Sequence, residues 1–177
     1  MKFEIPFNED ITRRQFKLKY DLTWNKTLKK HKTNLNISII SVLLGSLIVY
    51  GNDNIGLIMV TIGFLGLYIY YRSNLIYREN KRKYDNALND VIEKFKKSKE
   101  NTIWEFHDDY FKYKDYKYDF KITWEGFSSY RIIEDNIFID MNAESQLSYI
   151  LAKEEIGEES FQTLIDFVDT KLKRISH

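Results

Sequence analysis

The fold is decided by residues 35–71, which read LNISIISVLLGSLIVYGNDNIGLIMVTIGFLGLYIYY. Two apolar runs, 35–50 and 55–71, are separated by a Gly-Asn-Asp-Asn sequence of good turn formers. Each run is slightly shorter than the roughly 20 residues that an untilted helix needs to cross a bilayer core of about 30 Å, but flanking residues and local thinning can make up the difference. We therefore expect two transmembrane helices joined by a tight turn. The alternative is a buried helical hairpin of a soluble protein, which suits larger proteins because the runs have almost no polar face.

Basic residues flank both apolar runs, whereas the turn carries one acid and no base. They are Lys29, Lys30 and Lys32 before the first run, and Arg72, Arg78, Lys81, Arg82 and Lys83 after the second. By the positive-inside rule, both termini are cytoplasmic and the turn faces outward. These residues are also candidates for contact with an anionic membrane surface, although setting the topology is a sufficient reason for them. Heavy use of lysine, asparagine, isoleucine and tyrosine, with proline only at Pro6, is compatible with an AT-rich bacterial coding bias. We therefore expect a multi-pass protein of a bacterial inner membrane.

The segment before the hairpin, residues 1–33, is predicted to contain an extended arm and a helix. Phe3, Ile5 and Phe7 alternate with polar residues or proline, which is typical of a strand or an extended arm. Asn8 or Asp10 offers an N-cap, and a charged helix then runs through residues 11–33.

The segment after the hairpin, residues 72–100, is predicted to be a basic linker helix. Tyr84, Leu88, Val91, Ile92 and Phe95 fall at heptad-like spacing within it. This stripe is suited to packing against the N-terminal helix or against a second copy of the chain, so a homo-oligomer remains open.

Residues 101–177 have the sequence pattern of a β domain. Short aromatic or β-branched runs at 103–107, 110–113, 119–124, 130–133, 137–141 and 148–151 are separated by turn-like pieces. Beyond Gly157, apolar residues recur at helical spacing, which predicts a final amphipathic helix. We therefore expect an α+β membrane protein in which the hairpin (residues 34–71) carries a cytoplasmic antiparallel meander closed by one helix, as in a pleckstrin-homology-like (PH-like) domain.

This layout resembles the YcxB-like proteins of bacteria, which have two adjacent membrane helices and a C-terminal PH-like YcxB-type domain. The resemblance is carried by Phe7-Asn8-Glu9-Asp10, by Ile122-Thr123-Trp124-Glu125-Gly126-Phe127, and by Tyr149-Ile150-Leu151-Ala152-Lys153 with the helix that follows. Ala152 stands where the family usually has a proline. The resemblance implies a fold and says little about activity.

No constellation of residues that would require a particular chemistry is present in the sequence. There is no cysteine, and His31, His107 and His177 lie far apart without metal-ligand spacing. The sequence has no glycine-rich phosphate loop after a strand and no nucleophile elbow. A net charge of +1 gives no global support for nucleic-acid binding. We expect no enzyme activity, no cofactor and no metal site.

An aromatic-rich stretch with interleaved lysines is the candidate binding face of the β domain. Its candidate residues are Trp104, Tyr110, Tyr113, Tyr116, Tyr118 and Trp124. Aromatic rings are enriched in peptide-binding and nucleic-acid-binding sheets. Alternation along a strand means, however, that half of such rings face the core.

These features favour a non-catalytic, membrane-tethered binding or regulatory module. Its partners would be the lipid bilayer and a protein of unknown identity or a lipid headgroup. The alternative is an immunity protein against a membrane-active toxin, since such factors are often small hairpin-bearing proteins. A neighbouring toxin gene would favour that alternative.

Overall fold

The computed structural model describes residues 1–142 and 148–175, and the chain divides into two compact units. We call the first unit, Met1–Lys19 with Asp90–His177, the β domain. The second unit, Tyr20–Asn89, is called the helical hairpin. The chain is α+β, as the sequence predicts, with two long apolar helices and two antiparallel sheets.

The β domain contains a four-stranded sheet and a three-stranded sheet. The first sheet has the order β1 (Lys2–Ile5), β2 (Thr102–Phe106), β3 (Tyr110–Lys114) and β4 (Asp119–Thr123). The second has the order β5 (Phe127–Ile133), β6 (Asn136–Met141) and β7 (Ser148–Ala152), and a one-turn 3-10 helix, Trp124–Gly126, links the two sheets. All six predicted strand runs are confirmed; the largest difference is that β5 begins three residues earlier than predicted.

The N-terminal segment, which the sequence left open between a strand and an arm, is strand β1. It pairs antiparallel with β2, so that Phe3 lies opposite Trp104. The strand ends before Pro6, which has no N–H to continue a ladder. Strands β1 and β2 are neighbours in the larger sheet, although both helices of the hairpin lie between them in the sequence.

The hydrophobic core of the β domain lies between the two sheets and a C-terminal helix. A short helix, α3 (Lys153–Ile156), leads into α4 (Glu158–Asp169), and both follow α1 (Glu9–Tyr50) and α2 (Ile55–Ser98) in the chain. The amphipathic helix predicted after Gly157 is confirmed, and it buries Phe161, Leu164, Ile165 and Val168. Phe111 of β3 contacts Phe127 of β5, with ring centroids 5.7 Å apart, which joins the two sheets.

The helical hairpin is formed by parts of α1 (Glu9–Tyr50) and α2 (Ile55–Ser98). Asn8 is the N-cap of α1, since its Oδ1 accepts hydrogen bonds from the N–H groups of Asp10 (3.0 Å) and Ile11 (3.2 Å). The predicted turn between the two apolar runs is confirmed. Asn52 has a φ of 62°, and Asp53 Oδ1 accepts a hydrogen bond from Ile55 N–H (2.9 Å) at the start of α2.

The apolar side chains of the hairpin are largely exposed. Leu43, Leu47 and Ile58 keep 61%, 68% and 61% of their surface accessible. Two helical segments, Thr27–Tyr50 and Ile55–Ser98, are long and apolar enough to cross a membrane, and only 11% of the apolar window of each is buried. This low burial is unlike the core helix of a soluble protein, whose apolar residues are mostly covered.

The two helices of the hairpin approach each other closely at glycine. A Cβ atom added at Gly56 would lie 2.5 Å from the carbonyl oxygen of Gly45 and 2.6 Å from Val49 N. Further along the same pair of helices, the rings of Tyr20 and Tyr84 pack with centroids 4.7 Å apart. The heptad-spaced stripe predicted for the linker helix therefore packs, at Tyr84, against the N-terminal helix.

Candidate functional site

A cavity of about 350 Å³ lies in the β domain, where the N-terminal segment and the end of α2 meet strands β2, β3 and β7. This volume is within the range of small-molecule sites. Aromatic side chains form much of its wall; they are Phe7, Phe16, Phe95, Trp104, Tyr113, Tyr116, Tyr118 and Tyr149.

Rings from distant parts of the chain hold the wall together. Phe7 stacks on Phe95 with centroids 5.3 Å apart, and Phe95 meets Tyr116 edge-on at 4.6 Å. Tyr113 and Tyr149 lie 5.5 Å apart. Such ring pairs stabilise an interface by about 0.5–1.5 kcal/mol beyond the area they bury. The N-terminal segment, the end of α2 and the β3–β4 turn are thereby fixed around one space.

Glu155 of α3 contributes a carboxyl group to this wall. Its Oε2 accepts hydrogen bonds from Ala152 N–H and from Gln15 Nε2, both at 2.7 Å. Burial raises the pKa of Glu155 above its ordinary value, and the two hydrogen bonds only partly oppose that effect. The group therefore keeps its proton more readily than an exposed glutamate does.

Lys19 contributes an ammonium group to the same cavity. Its Nζ donates a hydrogen bond to the carbonyl oxygen of Ser148, at 3.4 Å. Burial lowers the pKa of Lys19 below its ordinary value. The cavity thus places a cation and a carboxyl group near the two ends of strand β7.

Asp115 organises the β3–β4 turn at the cavity. Its Oδ1 accepts hydrogen bonds from the N–H groups of Lys117 (2.7 Å) and Tyr118 (2.6 Å), and its Oδ2 accepts one from the Tyr113 hydroxyl (3.0 Å). Burial, with the Asp115 charge, raises the pKa of Tyr113 well above its usual range, and burial raises that of Tyr149 to about 12. Both phenols therefore remain protonated at neutral pH.

Strand β7 presents a peptide group to the cavity. It is last in its sheet order, so within the described residues one edge has no neighbouring strand. Lys153 N–H donates to the Asp135 carbonyl on the β6 side (2.9 Å), whereas Ala152 N–H donates to Glu155 on the other side. Because successive peptide groups of a strand point to opposite edges, the N–H and C=O of Ile150 share the outer edge with those of Ala152. Ile150 also lines the cavity. A bound molecule can therefore meet one donor and one acceptor of the backbone there.

The candidate binding residues from the sequence divide into two groups. Trp104, Tyr113, Tyr116 and Tyr118 line the cavity, although Trp104 is also a buried core residue. Tyr110 and Trp124 are not among the described lining residues.

The two remaining aromatic candidates have other contacts. Tyr110 stacks on His107 with centroids 4.3 Å apart, and Lys121 Nζ lies 3.4 Å from the centre of its ring. Trp124 is buried, and its Nε1 donates a hydrogen bond to the His107 carbonyl (2.9 Å). Neither ring therefore shares a wall with the cavity residues.

The candidate membrane-surface residues differ in their ion pairs. Lys81 pairs with Asp85 at 3.4 Å and Lys83 with Glu79 at 2.8 Å, each four residues away on α2. In the described part of the chain, no ion pair is formed by Lys29, Lys30, Lys32, Arg72, Arg78 or Arg82, and all six are exposed.

No metal centre is formed by residues 1–142 and 148–175, where no group of three or more histidine, aspartate or glutamate side chains is suitably placed. His107 instead lies 3.3 Å from Glu105. His177 is outside the described residues.

Sequence reasoning missed Gln15, Lys19, Ser148, Tyr149 and Glu155 as site residues. Each lies in a segment that is unremarkable by itself, and only the pairing of β1 with β2 brings the start of α1 beside β7. The one signal in the sequence was that two polar residues, Gln15 and Lys19, lie close to Phe16 in the predicted helix.

No protein-family model, no curated protein and no solved structure matches the chain.

Proposed function

We propose that this protein is a non-catalytic, membrane-tethered binding module. The hairpin inserts in a bilayer, and the β domain binds a small molecule or the side chains of a protein partner in the cavity described above. The observation that carries the proposal is the cavity itself, with its aromatic wall and the outward peptide group of Ile150. Its polar groups bind and orient a ligand, and no nucleophile beside a base is needed for that role.

We propose a bacterial inner membrane as the location, with both termini cytoplasmic. The exposed apolar side chains of both helices support insertion, because an apolar surface of this extent is costly in water. The basic flanks and the turn without a base support the orientation.

We propose further that the β domain is PH-like and that the chain is a YcxB-like protein. The described strands form sheets of four and three, and a helix follows the last strand and covers the core. This order supports the PH-like arrangement. The family assignment rests on the resemblance alone.

A fractionation and topology experiment tests the membrane half of the proposal. The chain is expressed with a C-terminal reporter that is active only in the cytoplasm, and membranes are extracted with carbonate and then with detergent. We expect retention in the carbonate pellet and an active reporter. Release by carbonate would mean that the apolar helices are a protein core or a surface contact.

A cavity-filling variant tests the binding half. Val91 lines the cavity from α2, so Val91→Trp fills part of it; Glu93→Trp adds the same ring at an exposed position of the same helix. The full chain is purified in detergent, and co-purifying small molecules are measured by mass spectrometry. We expect a ligand on the wild type and on Glu93→Trp, and none on Val91→Trp, whose far-UV circular dichroism spectrum and unfolding temperature should match those of Glu93→Trp. A ligand equally abundant on all three would place binding elsewhere.

The immunity function stays a prediction, because none of the described contacts favours it over the binding module. A toxin gene beside this one, with protection lost in the Val91→Trp strain, would raise it to the leading hypothesis.

A further inference from the structure

A second cavity, of about 240 Å³, lies between the two helices of the hairpin, where residues 28–36 of α1 face residues 70–77 of α2. We call it the interhelical groove. Its polar lining residues are His31, Lys32 and Asn36 of α1, and Ser73 and Asn74 of α2.

The groove lies at the end of the apolar part of both helices. On one side of it along the helices, Ile37 and Ile69 are 57% and 55% exposed, and apolar residues continue to the turn. On the other side, charged residues such as Lys29 and Arg78 follow. In a hairpin inserted as proposed above, on which this inference rests, the groove therefore lies at the depth of the lipid headgroups.

The charge around the groove is positive and is not balanced within the hairpin. Lys32 lines the groove, and neither it nor Arg72 forms an ion pair with any residue that the structure describes. Lys29, Lys30, Arg78 and Arg82 also form no ion pair among the described residues, but Lys32 is the one of these bases that lines the groove. Lys32 therefore brings a positive charge without a protein counter-charge to the groove itself.

His31 is a second polar side chain of the groove. Its Nδ1 is shielded from solvent and has no hydrogen-bond partner among the described residues, so contact with a ligand falls to the other ring nitrogen, Nε2. Asn36, Ser73 and Asn74 supply further hydrogen-bond donors around the same space.

We propose that the interhelical groove binds the phosphate of an anionic phospholipid headgroup. The Lys32 ammonium group supplies the charge, and the His31 imidazole with the Asn36, Ser73 and Asn74 side chains supplies hydrogen bonds to phosphate and glycerol oxygens. The acyl chains of the lipid lie along the exposed apolar side chains that begin at Ile37. A soluble phosphate would meet the same polar groups but would leave those apolar side chains uncovered.

The test measures lipid selectivity of the full chain by native mass spectrometry from detergent, with phosphatidylglycerol and phosphatidylcholine added in equal amounts. We expect the wild type to retain phosphatidylglycerol in preference. Lys32→Gln should reduce that preference about fivefold, the effect expected for one lysine at an anionic headgroup. Lys30→Gln, which removes the same charge from the same helix but does not line the groove, should change it by less than about twofold.

Asn74→Ala removes a hydrogen-bond donor without changing the charge and should lower the amount of phosphatidylglycerol that the protein retains. Equal effects of Lys32→Gln and Lys30→Gln, or no preference in the wild type, would overturn the site in favour of diffuse attraction to basic residues. Displacement of the lipid by millimolar inorganic phosphate would overturn the lipid as the occupant. Carbonate extraction of each variant separates these results from a failure of insertion: a released wild type refutes the proposed function, whereas a retained but unselective one refutes only the groove.

Discussion

The β domain and the helical hairpin place the same kinds of apolar side chain in opposite surroundings. Phe111 and Ile137 of the β domain have no accessible surface, whereas Leu43 and Leu47 of the hairpin keep 61% and 68% of theirs. The β domain therefore contains the apolar medium that stabilises it. The hairpin leaves its apolar side chains uncovered, which is the physical reason for proposing a bilayer.

The two regions also differ in how their elements are held together. In the β domain, large rings from both sheets interdigitate, for example Phe111 with Phe127. In the hairpin, the helices meet where Gly45 and Gly56 have no side chain. Close backbone contact of this kind is typical of helix pairs in lipid, where no hydrophobic driving force acts between the helices.

The largest effect that would separate the two regions comes from truncating one apolar side chain in each. Phe111→Ala should cost the β domain about 3–5 kcal/mol, because it removes a fully buried ring and leaves a cavity. Leu47→Ala should change stability by less than about 0.5 kcal/mol in detergent. Urea unfolding of the full chain, followed by near-UV circular dichroism, measures both. A comparable loss for Leu47→Ala would contradict the comparison, since it would make the hairpin a protein core.

The next largest effect concerns which region the N-terminus belongs to. Ile5 is 6% exposed and belongs to the same core cluster as Trp104 and Phe111, so Ile5→Ala should destabilise the β domain by about 2–3 kcal/mol. Lys2→Ala is the control: it removes only the exposed ion pair with Glu105 (3.6 Å), and a loss below about 0.5 kcal/mol is expected. The same urea unfolding distinguishes them. If Ile5→Ala lost as little stability as Lys2→Ala, β1 would be an accessory strand rather than part of the core.

The sequence predicts the local elements of both regions well, because their signals are local. Alternation of apolar and polar residues predicts the strands, and helical spacing predicts the final helix. Turn-forming residues predict the turn at Gly51. Each of these signals extends over only a few residues. The pairing of β1 with β2 has no such signal. A four-residue strand at the N-terminus is compatible with any free sheet edge, and its partner begins near residue 102.

The candidate site was only partly predictable for the same reason. Tyr113, Tyr116 and Tyr118 were found because they form an aromatic stretch, and they do line the cavity. Glu155 and Gln15 come together only through the packing of α3 beside the start of α1, 140 positions apart in the chain. Periodicity gives no information about contacts at that separation.

A smaller effect is expected at the contact between the hairpin helices. Gly56→Ala places a methyl group 2.5 Å from a backbone oxygen, which has no side chain to move aside, so the helices must separate. We expect a loss of about 1–3 kcal/mol in thermal unfolding of the helical signal in detergent, with no change in the near-UV spectrum of the β domain. Gly51→Ala, whose methyl group would lie 3.3 Å from the Ile48 carbonyl oxygen of its own helix, serves as the milder control. Equal unfolding temperatures for both variants would show that the glycine contact does not hold the hairpin together.

The smallest effect is a pH dependence confined to the β domain. Because burial raises the pKa of Glu155 in the folded chain, the folded state binds more protons than the unfolded state from pH 4.5 upward to that raised pKa. The contribution of Glu155 to stability therefore falls as the pH rises through this window and is fully present below it. Glu155→Gln keeps an oxygen for Ala152 N–H and cannot ionise, so the stability difference between wild type and variant should shift in favour of the variant as the pH rises from 4.5. A wild-type curve parallel to that of Glu155→Gln would mean that the cavity wall is open to water at α3, and the cavity would then be a poorer binding site than its lining indicates.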